Sequence, residues 1–131
     1  MVKIKLMDKL EYIQGDVVMY DNKIMVIKEP RNGSHFDLSC PKEGLVYCFV
    51  SVEDIKPIPL TPEILLKNGW MLYHLYYWFT EEECLKLRLL KLDKRPWNAY
   101  IGNNIMRVNI HSVSDLQHLL FGLGLNSEME V

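Results

Sequence analysis

Cysteine is scarce and unpaired. There are three in 131 residues, Cys40, Cys48 and Cys84. No two have the C-x-x-C spacing of a zinc ribbon, and the odd number argues against a disulfide framework. Small core thiols in a reducing compartment are expected instead. Long apolar runs are also missing. The longest, Gly69 to Thr80, falls well short of the roughly 20 residues a spanning helix needs. Charges at Lys3, Lys5, Asp8 and Lys9 interrupt the start of the chain, where a signal peptide keeps its apolar core. An excess of one charge is absent too: 15 basic residues face 17 acidic ones, for a net charge of −2. That argues against a dedicated nucleic-acid binder and leaves room for a local basic patch. No Walker loop, dinucleotide fingerprint, H-E-x-x-H or G-x-S-x-G occurs, and there is no internal repeat. These absences point to a soluble cytoplasmic protein with no membrane segment, no metal and no cofactor.

Against these stands an ordinary globular composition, with 49% apolar and 24% charged residues. A chain of this length buries somewhat under roughly 70% of its unfolded surface, enough to fold without staples. It has room for one domain or two very small ones.

The first sixty residues read as short strands separated by turns. Gly15-Asp16 opens Val17 to Tyr20. Asp21-Asn22 tolerates positive φ and suits a tight hairpin. Lys23 to Lys28 is the β-branched return strand. Glu29 to Ser34 reads as a loop around Asn32-Gly33. His35 to Ser39 predicts a third strand. Leu45 to Val50 predicts a fourth, apolar enough to be buried on both faces. Strands every ten residues or so, each closed by a turn, suggest a small SH3-like β-barrel.

Ile55 to Leu60 holds two prolines, Pro57 and Pro59, which exclude a central strand and make an extended connector. A short helix over Pro62 to Asn68 follows. Thr61 is its N-cap, Pro62 stands at its first position, Leu60 and Leu65 form a staple and Gly69 ends it. Trp70 to Phe79 is aromatic enough to predict one strand. Its alternation puts Tyr73, Leu75, Tyr77 and Phe79 on one face and Leu72, His74, Tyr76 and Trp78 on the other. Cys84 to Leu89 alternates apolar and charged residues and is read as strand. Thr80-x-x-Glu83 leaves a helical alternative open. Asp93 to Pro96 is a turn, and Trp97 to Ile101 with Ile105 to Ile110 reads as a hairpin. Val113, Leu116, Leu119, Leu120 and Leu123 mark a last helix after Ser112. Ser127 to Val131 adds an edge strand or frays.

The run Ile-Lys-Pro-Ile-Pro-Leu-Thr-Pro-Glu-Ile-Leu-Leu-Lys-Asn-Gly-Trp at Ile55 to Trp70 resembles a signature of uncharacterised proteins encoded by prophages and mobile elements of Bacteroidetes. Val113-x-x-Leu116-Gln117-His118-Leu119-Leu120-Phe121 is similar to the second signature of that group, and Gly15-Asp16-x-Val18 to its opening strand. Trp70 stands where a phenylalanine is usual and His118 where an asparagine is. The resemblance implies a β-rich protein with two short helices; it implies no activity, and no functional residues transfer.

Candidate chemistry is thin. His111 and His118 lie two helical turns apart, too far to share an ion without other ligands. Glu81, Glu82 and Glu83 read as a solvated turn, and Cys84 as a buried thiol. Lys86, Arg88, Lys91, Lys94 and Arg95 face one acid, Asp93, with Trp97 and Tyr100 following. Such a basic and aromatic stretch suits nucleic acid. The aromatic strand, with Tyr73, Tyr76, Tyr77 and Trp78, suits a protein interface or self-association. The expected architecture is α+β and mostly β: an SH3-like barrel over residues 1–56, a Pro-rich connector over 57–61, and an antiparallel sheet with two short helices over 62–131. The expected function is a non-enzymatic binding or adaptor module with a protein partner. The alternative is a nucleic-acid accessory protein using Lys86, Arg88, Lys94, Arg95 and Trp97.

Overall fold

The computed structural model describes residues 12–73, 77–80, 87–92, 94–101 and 106–131. The described residues are mostly β, with antiparallel strands and two short helices, α1 (Pro62–Lys67) and α2 (Val113–Gly122). Two compact units are present, Met1–Ile58 with Val113–Glu128, and Pro59–Ser112 with Met129–Val131. Among the described residues no helix is long and apolar enough to cross a membrane.

The first unit is built on β1 (Val17–Tyr20), β2 (Lys23–Asn32), β3 (His35–Cys40), β4 (Leu45–Ser51) and β5 (Lys56–Pro57), in the order β4-β3-β2-β1-β5. Asp21 and Asn22 take φ of 52° and 59°, both positive as a two-residue hairpin of the I′ type requires. From there the period of two sorts the side chains. Val18, Met25, Ile27, Phe36 and Leu38 share the inner face and form the core with Cys40, Val50 and Ile55. Among the described residues the sheet is open, with β4 and β5 as its edges.

Two expectations are corrected in this unit. Glu29 to Asn32 is not loop: β2 runs on through Pro30, and the register slips between Ile27 and Glu29 and again between Pro30 and Asn32. Those irregularities accommodate a residue with no N–H to give the ladder. β4 is not buried on both faces. Among the described residues it is an edge strand, and Leu45, Val46, Cys48 and Phe49 are exposed. The apolar run misled because apolar sequence reports tolerance of burial, not the presence of a neighbour.

Pro57 sits at the other edge, opposite Val18, where a missing donor costs little. A 3-10 turn over Val52–Asp54 leads into β5, with Ser51 Oγ accepting from the Glu53 N–H. α2 closes in a Schellman motif: the Leu125 N–H donates to the Leu120 carbonyl at 2.9 Å, the Gly124 N–H to Phe121 at 3.0 Å, and Gly124 takes φ of 74°.

The second unit holds β6 (Trp70–Tyr73), β7 (Tyr77–Thr80), β8 (Arg88–Leu90), β9 (Trp97–Ile101) and β10 (Met106–Ile110), in the order β10-β9-β8-β7-β6. The aromatic stretch is therefore not one strand. It folds back on itself, with Tyr73 opposite Tyr77 and Trp70 opposite Thr80. High β-propensity was read correctly, but propensity does not locate a reversal. The expected alternation over Trp70 to Phe79 is broken there, and Leu75, His74 and Tyr76 lie outside the described residues. Arg88 to Leu90 is strand; Glu81 to Lys86 also lie outside the described residues.

Local signals place α1 as read. Thr61 Oγ1 accepts from the Ile64 N–H at 3.3 Å, Pro62 takes the first turn, and Gly69 has φ of 85°. Register lines Trp78, Leu89 and Ala99 in one row, all buried with Trp97, Ile110 and Leu65. The tail forms no strand. Glu130 instead pairs its backbone with the Asn68 side-chain amide, through two hydrogen bonds of 2.8 Å.

Candidate binding surface

β3 and β4 lose step at one point. Leu38 pairs with Tyr47 and Phe36 with Val50, so Asp37 alone faces both Cys48 and Phe49. That is a β-bulge. Phe49 bears its distortion, with φ of 59°. The left-handed region costs a residue with a Cβ about 1–2 kcal/mol, and bulky residues are seldom found there.

Charge holds the conformation. Asp37, with a side chain only 5% exposed, accepts the Phe49 N–H on Oδ1 at 2.9 Å and the Arg31 Nε on Oδ2 at 2.8 Å, with the Arg31 Nη2 at 2.6 Å. The Arg31 guanidinium, and after it the Phe49 N–H, hold the Asp37 carboxyl below the usual carboxylate range. The outcome is display. Phe49 is 57% exposed, and its ring stacks on His35 with centroids 4.2 Å apart and planes 14° from parallel. Asn32 Oδ1 and Ser34 Oγ hold the imidazole through its Nδ1, at 3.2 and 3.0 Å. Exposed Val46, opposite Ser39, extends this outer surface along the strand, while exposed Leu45, opposite Cys40, lies on the other face of the edge.

Edge strands offer unpaired N–H and C=O groups, and charge or proline usually defends them. β5 carries Lys56 and Pro57. β4 carries no charge from Leu45 to Ser51. The bulge confines the straight, pairable part of this edge to Leu45 to Tyr47 and sets Phe49 just beyond it. Sequence reasoning missed this surface because nothing local in Tyr-Cys-Phe-Val announces a positive φ. The run without a charge is the available signal, and by itself it fits a buried core equally well.

The residues singled out from sequence are dispersed. Trp78 is buried and packs edge-on against Trp97, with centroids 6.4 Å apart. Tyr76 lies outside the described residues; Tyr73 and Tyr77 pair through their backbones. Trp97 cannot stack on a base: it is buried, and its indole N–H donates to the Leu60 carbonyl at 2.9 Å. Lys94 and Arg95 are exposed in the turn before β9. Arg88 lies opposite Tyr100 in register, with its guanidinium carbon 6.0 Å from the ring centroid. Lys86 is not among the described residues. Cys40 is buried as expected, whereas Cys48 is exposed on β4.

A second polar cluster joins β1 to α2. Asp16, buried, accepts the Ile13 N–H at 2.9 Å and meets His118 Nε2 at 2.6 Å through the same Oδ2. Gln117 accepts the Val17 N–H at 2.8 Å and donates to the carbonyls of Gly15 and Ser127. Every group here has a partner inside the unit, which marks a structural tie. An open cleft of about 500 Å³ lies between the β1–β2 turn and the 3-10 turn, lined by Tyr20, Asp21, Asn22, Glu53, Asp54 and Lys56 among others. Among the described residues no group of three or more His, Cys, Asp or Glu is placed to hold a metal ion.

No known protein family, no curated protein and no solved structure matches this chain.

Proposed function

We propose that the chain is a non-enzymatic, cytoplasmic binding module of the mobile-element kind that Ile55 to Trp70 resembles. It takes an extended protein segment, from a partner or a second copy, along the β4 edge, with Phe49 as the aromatic anchor. The observation that carries this reading is the strained, ion-pinned Phe49. Strain held at an exposed aromatic is a mark of pre-organisation for contact. Strand addition supplies main-chain hydrogen bonds, and the exposed Leu45, Val46 and Phe49 supply apolar area. The strand order, with a 3-10 turn before the last short strand, supports an SH3-like frame for the first unit.

A random peptide display library panned on the protein tests the reading. Extended apolar sequences are expected to be enriched, and Val46→Glu is expected to weaken their binding at least tenfold. Enrichment that ignores Val46→Glu would exclude the β4 edge.

The Arg88–Tyr100 pair favours a second reading, in which single-stranded nucleic acid lies along β8 and β9 beside Lys94 and Arg95. It predicts binding of a mixed oligonucleotide that falls steeply with salt and is lost in Lys94→Glu/Arg95→Glu.

A further inference from the structure

We propose that the Arg31–Asp37 pair is a catch that selects between two registers of β4 against β3, and so decides whether Phe49 is displayed or withdrawn. The observed register carries one extra residue on β4 between Leu38↔Tyr47 and Phe36↔Val50. Regular antiparallel pairing continued from Leu38↔Tyr47 sets Phe49 opposite Phe36 and Val50 opposite His35. Phe49 then takes the inward position that Val50 occupies, and Val50 turns out, because a one-residue slip exchanges the faces.

The two registers trade definite terms. The regular one returns Phe49 to extended backbone, which aromatic residues favour. It gives up the Phe49 N–H bond to Asp37 and the stack on His35. It also brings a ring to a site now filled by Val50, buried beside Phe36. Asp37 decides between them because its carboxylate, buried and neutralised by Arg31, binds the amide that exists in that place only when the bulge does. No intermediate is comfortable, since a strand side chain points either in or out. A small change at the pair is thus converted into a discrete exchange of Phe49 for Val50.

The catch rests on the binding reading only for what the displayed ring serves, and its readout is structural. In nuclear magnetic resonance spectra of the whole chain, the bulged state shows Phe36–Val50 proximity and upfield-shifted His35 ring protons. Asp37→Ala is expected to lose both and to gain Phe36–Phe49 proximity. Arg31→Gln, a change at a half-exposed side chain, is expected to lose them in part. Glycine takes the left-handed region without strain. Phe49→Gly/Asp37→Ala is therefore expected to retain the Phe36–Val50 contact, including where Asp37→Ala alone does not fold. Retention of the His35 shift in Asp37→Ala would overturn the proposal. So would loss of the Phe36–Val50 contact in the double variant. A peptide library that enriches nothing leaves these outcomes intact and counts against the binding reading alone.

Discussion

Phe49 and Trp97 are both aromatic residues on strands, and their environments assign them opposite work. Phe49 holds a left-handed backbone that a residue without a Cβ takes freely. Phe49→Gly is expected to raise stability by about 1 kcal/mol, read from the urea midpoint, while removing the displayed ring. A fall in stability would mean that the His35 stack outweighs the strain. Trp97 has its N–H committed to the buried Leu60 carbonyl. Trp97→Phe leaves that carbonyl without its donor and is expected to cost about 1–3 kcal/mol. Neither role was legible in the sequence. Trp97 stands beside a basic run, which suggests a surface aromatic, because the nearest charges are sequence neighbours while Leu60 lies far along the chain.

Among the elements, those bounded by local chemistry were legible. Asp21-Asn22 gave the hairpin, Thr61-Pro62 and Asn68-Gly69 bounded α1, and Ser112 preceded α2. Elements bounded by tertiary pairing were not. The reversal between β6 and β7, the extension of β2 past Pro30 and the exposure of β4 all depend on which strand lies alongside. The attachment of α2 is of this kind too. Gln117, buried in α2, satisfies the backbone at Val17, Gly15 and Ser127. Gln117→Leu leaves these backbone groups without that partner and is expected to cost about 3 kcal/mol, with faster amide exchange at Val17. A loss under about 0.5 kcal/mol would show that water or a neighbour replaces the side chain.

Across the whole molecule, two ion pairs of the first unit set a pH window. The hydrogen bond to Asp16 raises the His118 pKa above its ordinary 6.5, with burial opposing in part. Folded His118 binds its proton more tightly than unfolded His118. Its contribution is therefore complete below about 6.5 and is lost as pH climbs through the raised value. Asp37 runs the other way. Arg31 and the Phe49 N–H hold it below 3.8, so its contribution is complete above 3.8 and is lost as pH falls through the lowered value. From these two groups the first unit is expected to be most stable between pH 3.8 and 6.5. Urea midpoints at about pH 3, 5 and 8.5 check this, and His118→Gln is expected to flatten the alkaline side. An unchanged alkaline slope in that variant would remove His118 from the account.

The mostly β composition and the antiparallel order were legible at this largest scale, because alternation and turn chemistry recur along the chain. The candidate site was not, since it depends on a bulge and an edge that only the assembled sheet creates. The measurement that tests the central claim most directly is an amide chemical-shift map of the labelled protein. It is titrated separately with a library-selected peptide and with a mixed single-stranded oligonucleotide. The account predicts peptide-induced shifts concentrated on Leu45 to Val50 and on His35, with little response to the oligonucleotide. Shifts at Arg88 to Arg95 on adding the oligonucleotide, with β4 silent toward the peptide, would contradict it.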